Sequence, residues 1–393
     1  MTYPTKVAWI FLLGFALDLV NMFVATVAYP DIARELHASV TQLAWISNAY
    51  MLGLTLIIPL SVWLAAIMGE RRLIGASLLL FAGASLMVGQ ATSIQALISW
   101  RAVQGLGGGL LIPVGQAMAY RHFPASQRSH LTARVMSVAL LVPALSPALG
   151  GLIVDSVSWR WIFYANLPLA LFTLLLAMLW IKPDVPASVR PGLDLVGIFD
   201  QARSSMLRLA MLVYLFIPGV FIGTSLIAIL YLRGLGYDAT RTGALMLPWA
   251  LASALAIFLS KKLFNRCGPK PLLLAGMALQ CIGILLLNTA LIIPAYLLMG
   301  LGGSLCSSTA QTLAFLDIRA ERMGHASALW NINRQISFCL GAAVLSALLS
   351  ALDSFAITFT IAAALTLLPL FAVLRLDASR VRTLLHPASE PHP

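Results

Sequence analysis

SWRAVQGLGGGLLIP, residues 99–113, is the stretch whose reading decides the fold. Arg101, a permanent cation, stands about two turns into an otherwise apolar helix. Glycines follow at 105, 107, 108 and 109. An arginine at that depth of a bilayer costs at least ~2.5–3.5 kcal/mol on insertion scales, and such residues face a bundle interior or a wet cavity. In a soluble helix each glycine would cost roughly 1 kcal/mol. In a membrane the missing side chains let a neighbouring backbone come close. The stretch therefore predicts a buried cation beside a smooth packing surface, and the rest of the chain must supply what answers the cation.

Composition agrees with a membrane setting. Of the 393 residues, 60% are hydrophobic and 10% charged, and the mean hydropathy is +0.92. That is the range of polytopic membrane proteins. Runs long enough to span a bilayer recur at 7–29, 43–66, 73–90, 94–119, 131–154, 161–181, 206–232, 243–260, 271–288, 290–316, 325–350 and 355–374. Twelve spans put both termini on one side. With a cytoplasmic N-terminus, inside segments hold 18 Lys/Arg and outside loops hold 4, namely Arg34, Arg160, Arg233 and Arg241. The positive-inside rule then makes both ends cytoplasmic. The first run is too long for a signal-peptide core and reads as a retained span.

The net charge of +11 is scattered over short loops, with no basic helix and no aromatic platform, which argues against nucleic acid as a partner. Cys267, Cys281, Cys306 and Cys339 have no paired spacing, so neither a disulfide framework nor a metal site is expected. No catalytic triad, zinc-protease or phosphate-loop pattern is present, and the sequence points to no enzyme and no cofactor.

The long internal break, residues 182–205, contains three prolines and mixed charge and reads as a cytoplasmic linker. It separates a bundle over 1–181 from a second over 206–374, with a tail at 375–393. The bundles echo each other. Gly69 after the second span and Gly268 after the eighth are offset by 199; Gly105-Leu106-Gly107-Gly108 and Gly300-Leu301-Gly302-Gly303 are offset by 195. The expected fold is all-α, with two parallel-related six-helix units. Arg101 maps onto Tyr296, so the cation belongs to the first unit alone.

Asp18 is the one acidic residue inside the predicted spans. By rise per residue it lies ~16 Å, and Arg101 ~11 Å, below the outer surface, close enough in depth to interact directly or through water. The pair reads either as a fixed structural salt bridge or as a proton-coupling site, since burial and a guanidinium pull a carboxyl's proton affinity in opposite directions. Asn21, one turn on, either lines the same cavity or bonds a neighbouring helix. In the fifth span Pro143, Pro147, Gly150 and Gly151 predict a bend, as a packing kink or as a hinge. In the eleventh, Asn331, Arg334 and Gln335 form a polar stripe, with Arg334 equally able to snorkel. His325 sits at the cytoplasmic mouth. Phe23, Tyr214, Phe221 and Trp249 are candidate cavity walls, with lipid-facing positions as the alternative.

Together these residues resemble the major facilitator superfamily, specifically its drug:proton antiporters. Arg101 through Gly105 looks like the fourth-helix RxxQG motif, whose arginine is implicated in proton handling. Ser146-Pro147-Ala148-Leu149-Gly150-Gly151 resembles the antiporter motif of the fifth helix, with Val142 and Ser146 in place of its first two glycines. Trp159-Arg160-Trp161-Ile162-Phe163 and Asn166-Leu167-Pro168 are similar to a signature of the branch that usually has fourteen helices. So are Tyr231–Tyr237 with Gly243 and Pro248, and Gly324–Ser327 through Arg334-Gln335. The short linker makes this a twelve-helix relative.

Two departures stand out. The family's loop after the second helix carries an Asp-Arg pair thought to latch one conformation; at those positions this chain has Ala66 and Ile67, keeping Gly69 and Arg71. The copy after the eighth span keeps more of the pattern, with Asn265, Arg266, Gly268 and Lys270. The branch's first-helix Asp aligns with Asn21, one turn after Asp18.

The resemblance implies a monomeric, proton-driven exporter of amphipathic small molecules in a bacterial inner membrane. It places Asp18 and Arg101 in proton coupling, and Asn21, Gln104, Tyr214, Phe221, Asn331 and Arg334 around the cavity. Gly69, Arg71, Gly105, Gly108, Pro143, Pro147, Gly150, Gly151, Arg266 and Gly268 fall to conformational motifs. A dedicated exporter of one metabolite, an inward symporter and a non-transporting sensor are the competing readings.

Overall fold

The computed structural model describes residues 1–38, 40–184, 194–236, 246–289 and 291–385. Linker positions 185–193 (with Arg190), Tyr237, Arg241 and Gly243 lie outside the described residues, as do the side chains of Phe23, Pro147 and Arg233.

Every described element is helical or a turn. The principal helices are α1 (Tyr3–Val24), α2 (Val40–Ile57), α3 (Glu70–Gly89), α4 (Ile94–His122), α5 (Arg128–Ser156) and α6 (Asn166–Trp180). There follow α7 (Ser205–Phe216), α8 (Pro218–Gly234), α9 (Met246–Cys267), α10 (Pro269–Leu286), α11 (Ile292–Ala314), α12 (Met323–Leu352), α13 (Phe355–Leu365) and a short terminal α14 (Ala378–Leu385). Among the described residues, ten helical stretches are long and apolar enough to cross a membrane. The 29-residue α4 and α5 are not among those ten; in α4, Arg101, Gln104, Gln116 and the glycine run dilute the apolar character.

Several predicted spans are interrupted, each with a local cause. Pro59 stands in a 3-10 turn (Ile58–Leu60) after α2, and the helix resumes at Ser61. α7 stops at Phe216 ahead of Pro218. A proline lacks the N–H that the ladder needs and crowds the preceding turn. α5 carries its prolines without a break in the helix; the Ser146 hydroxyl donates to the Val142 carbonyl at 2.6 Å. Starts are capped by side chains, Ser93 for α4, Ser204 for α7 and Ser354 for α13, each accepting an otherwise orphaned N–H.

Contacts gather the chain into two compact units. One comprises Met1–Phe123, Val138–Gln201 and Arg319–Ile332; the other Pro124–Ser137, Ala202–Ile318 and Asn333–Pro393. Within each, the repeated glycines do the same work. A Cβ at Gly105 would fall 2.1 Å from the Tyr50 carbonyl oxygen, and one at Gly300 would fall 2.4 Å from that of Trp249. Backbones in such contact leave no room for a side chain. The offset of 199 that relates Gly69 to Gly268 also relates Tyr50 to Trp249 and Asp18 to Ile217.

At the loop before α3, where Ala66 stands in the family's acidic position, a carboxylate arrives from elsewhere in the chain. Gly69 adopts φ 86°, and Gly268 adopts φ 77° at the equivalent turn. At Gly69 the Asp184 carboxylate from the start of the linker lies across the end of α3. Its two oxygens accept the Arg71 and Arg72 N–H groups at 3.0 Å each. The Arg71 guanidinium donates to the Met178 carbonyl at 2.5 Å. A carboxylate there satisfies orphan donors and complements the helix dipole.

Candidate functional site

The glycine face of α4 also frames the polar centre of the first unit. Arg101 is wholly buried, as are Gln104 and Asn21, while Asp18 keeps 4% of its surface exposed. The Arg101 guanidinium donates through Nε to the Ile46 carbonyl of α2 at 3.1 Å and through Nη1 to Gln104 Oε1 at 2.7 Å. It lies 4.5 Å from the Tyr50 ring centroid and 5.7 Å from that of Phe163. Nη2 makes no hydrogen bond to the protein. A desolvated cation over an aromatic face gains about 2 kcal/mol or more, which offsets part of its burial.

Asp18 and Arg101 meet through Tyr50. The Tyr50 hydroxyl donates to Asp18 Oδ1, and the same ring lies against the guanidinium. From the other side Gln104 Nε2 donates to Asn21 Oδ1 at 3.0 Å and to Ser85 Oγ at 2.6 Å, and Asn166 Nδ2 donates to Asn21 Oδ1 at 3.1 Å. Asp18 and Asn21 are one turn apart on α1. The side chains Asp18, Tyr50, Arg101, Gln104 and Asn21 thus close a ring that ties α1, α2 and α4 together, with Ser85 and Asn166 attached from α3 and α6. Asn21 and Gln104 act in this structure as helix-to-helix hydrogen bonds.

Gly108 makes the ring possible. A Cβ built there would lie 2.7 Å from Tyr50 Oη and 3.3 Å from Asp18 Oδ1. The sequence flagged Gly108 for its smoothness, but not Tyr50, Ser85 or Asn166 as partners of the charges. The signal for Tyr50 was present in the glycine run, which required a close neighbour without naming it.

The other expected site residues lie elsewhere. Asn331 Nδ2 donates to Gln116 Oε1 at 2.7 Å and to the Ser327 carbonyl at 2.8 Å, a second buried polar cluster in the first unit. Ser327 Oγ stands 2.9 Å from the same Gln116 oxygen. Tyr214 and Phe221 belong to the second unit, Tyr214 tilted against Phe338 and Phe221 stacked on Trp249 at 5.1 Å. Arg334 is half-buried in that unit. His325 Nε2 lies 3.9 Å from Asp194 of the linker. Gly150 is buried against Val24 of α1, Gly151 and Pro143 are half-buried, and Arg266 is exposed at the end of α9. Arg160 of the WRWIF stretch caps the end of α3 through the Gly89 and Ala91 carbonyls and pairs with Glu35 at 2.6 Å.

The buried cation, the glycine-faced helices and the duplicated loops define a class, the small-molecule transporters built of two related helical units. The chain belongs to the Major Facilitator Superfamily, whose description it matches over residues 11–342. It is a multi-pass membrane transporter and not an enzyme. It is 28% identical over 406 residues to the multidrug resistance protein Stp of Mycobacterium tuberculosis (strain CDC 1551 / Oshkosh), covering 86% of this chain and 74% of Stp. To the multidrug transporter protein MdtP of Bacillus subtilis (strain 168) it is 25% identical over 390 residues, covering 82% of this chain and 71% of MdtP. In fold it is similar to the human organic anion transporter MFSD10, with a TM-score of 0.78 and 17% identity, over 95% of this chain and 100% of that one.

Proposed function

We propose that the chain is a proton-coupled exporter of amphipathic small molecules in a bacterial inner membrane, working by alternating access. The observation that carries the reading is Asp18, a carboxylate deep in an apolar helix with the Tyr50 hydroxyl and the Arg101 cation arranged around it. The multidrug names of the relatives supply the cargo class. Adding α4 and α5 to the ten apolar stretches gives twelve spans, and the excess of inside Lys/Arg puts both termini in the cytoplasm.

In this mechanism ionised Asp18 holds the Tyr50 phenol by a charge-assisted bond, roughly twice as strong as a neutral one. A proton arriving from outside neutralises the carboxylate. The phenol is then held more weakly, and Arg101 loses its nearest negative charge while keeping Ile46 and Gln104. The tie between α1 and α2 loosens, which lowers the free energy of the alternative arrangement. Cargo and proton compete for one ionised carboxylate, so each favours release of the other.

The test is proton release by purified protein in weakly buffered detergent on addition of a fluorescent aromatic cation, such as ethidium. The wild type is expected to release protons on binding, and Asp18→Asn to bind the dye without release. Undiminished release from Asp18→Asn would falsify the assignment, as would pH-gradient-driven efflux that survives this substitution in inverted vesicles.

A further inference from the structure

The second unit carries a groove of about 690 Å³ that the transport reading does not use. It lies between α7 and the segment that follows the last apolar helix, with Asn333 of α12 in its wall. Its lining is mostly apolar, including Leu209, Leu212 and Leu215 of α7 and Leu376. Arg208, Arg375 and Arg380 also line it. Arg208 lies one turn inside α7, and Leu215 stands about 10 Å further along the helix. The groove therefore runs from a basic mouth into an apolar channel.

Two of its three cations, Arg208 and Arg375, have no acidic partner among the described residues; Arg375 lies over the Phe371 ring at 3.9 Å. Arg380 pairs with Asp317 at 3.2 Å. The one acid in the lining, Asp377, is engaged in its own turn. Hydrogen bonds from the Ser379 hydroxyl and from the Arg380 and Ser379 N–H groups hold its carboxyl below the ordinary range. Lys270 adds a further positive charge close by, its ammonium on the Leu374 carbonyl at 2.6 Å. Beyond the groove α14 packs Val381 and Leu385 against the protein while Thr383 is exposed.

We propose that this groove binds an anionic phospholipid, with the phosphate between Arg208 and Arg375 and one acyl chain along Leu212 and Leu215. Basic pockets between membrane helices recognise lipid headgroups by this combination of charge and depth. The apolar wall is what separates a lipid from free phosphate, which has no use for it. Because both arginines are exposed, removing them leaves the fold intact.

The experiment is native mass spectrometry of the full chain, released from detergent and titrated with dioleoyl phosphatidylglycerol, dioleoyl phosphatidylcholine or sodium phosphate. Phosphatidylglycerol is expected to bind saturably at one site, and phosphatidylcholine far more weakly. Each of Arg208→Gln and Arg375→Gln is expected to weaken phosphatidylglycerol about fivefold, and the pair about 25-fold. Arg72→Gln, an exposed cation of the other unit, is expected to change nothing. Leu212→Ser is expected to weaken the lipid while leaving the headgroup preference in place. Equal binding of the two lipids overturns the proposal. So does an unchanged double variant, and so does displacement of the lipid by phosphate alone.

Discussion

Alanine at Gly108 strikes at the contact on which the proposed coupling rests. The added carbon would sit 2.7 Å from Tyr50 Oη and 3.3 Å from Asp18 Oδ1. Ordinary separation requires the phenol to retreat by about 0.8 Å. Parting α2 from α4 to absorb this would give up the close backbone packing of Gly105 on Tyr50. The ring must swing instead, and a displacement of that size exceeds the whole working range of an O–H···O bond, about 2.5–3.0 Å. Losing a hydrogen bond to a charged group costs about 1.5–3 kcal/mol, or roughly ten- to 150-fold in the population of the tied state. The assay is efflux of a fluorescent aromatic cation from inverted vesicles under an imposed pH gradient, with membrane levels and thermal midpoint followed in parallel. Gly108→Ala is expected to lose most of the driven efflux. Gly83→Ala, where a Cβ meets nothing within 4 Å, is expected to behave as wild type. The decisive measurement is the double variant. Tyr50→Phe removes the oxygen with which the new methyl collides, so the two substitutions together should be no worse than Tyr50→Phe alone. Additive losses would refute the geometry.

Four further outcomes follow from contacts described above. Arg101→Lys keeps the charge but loses the planar fork shared by Ile46 and Gln104 and its broad face on Tyr50, so gradient-driven efflux should fall sharply; a lysine variant at the wild-type rate would contradict the meeting through Tyr50. Asp184→Ala should lower the detergent thermal midpoint by an amount corresponding to ~0.5–2 kcal/mol, the worth of a helix cap. Gly69→Ala should be worse than Gly268→Ala in the same measurement: both need positive φ, but a Cβ at 69 also falls 2.1 Å from Asp184 Cγ while one at 268 meets nothing within 4 Å. Gly105→Ala and Gly300→Ala should each destabilise by ~1–3 kcal/mol through overpacking, and a variant that unfolds at the wild-type temperature would show that the helices are not in backbone contact.

Much of the fold is legible in the amino acids because a bilayer leaves the backbone few options. Apolar run length, proline position and repeated glycines located the helices and the duplication. The site was legible only in part. Asp18 and Arg101 announced themselves by charge, and depth along the helix axis gave their heights. Height does not give direction around the axis, so a Tyr50 ring standing between the two charges was invisible. Asp184 illustrates the same limit: it lies more than a hundred positions from the turn it caps, in a linker that reads as solvated. The missing acid at Ala66 is written in the sequence, whereas the carboxylate on the Gly69 turn is brought there by the fold.

The asymmetry between the two repeats has a consequence for inheritance. Where the first has Asp18, Tyr50 and Arg101, the second has Ile217, Trp249 and Tyr296, all without formal charge at neutral pH. If coupling runs through Asp18 as proposed, duplication left one copy holding the electrical machinery and freed the other to diversify its surfaces. A chimera that joins the first six helices of this chain to the last six of a relative should keep this chain's driving ion, whatever cargo it comes to prefer.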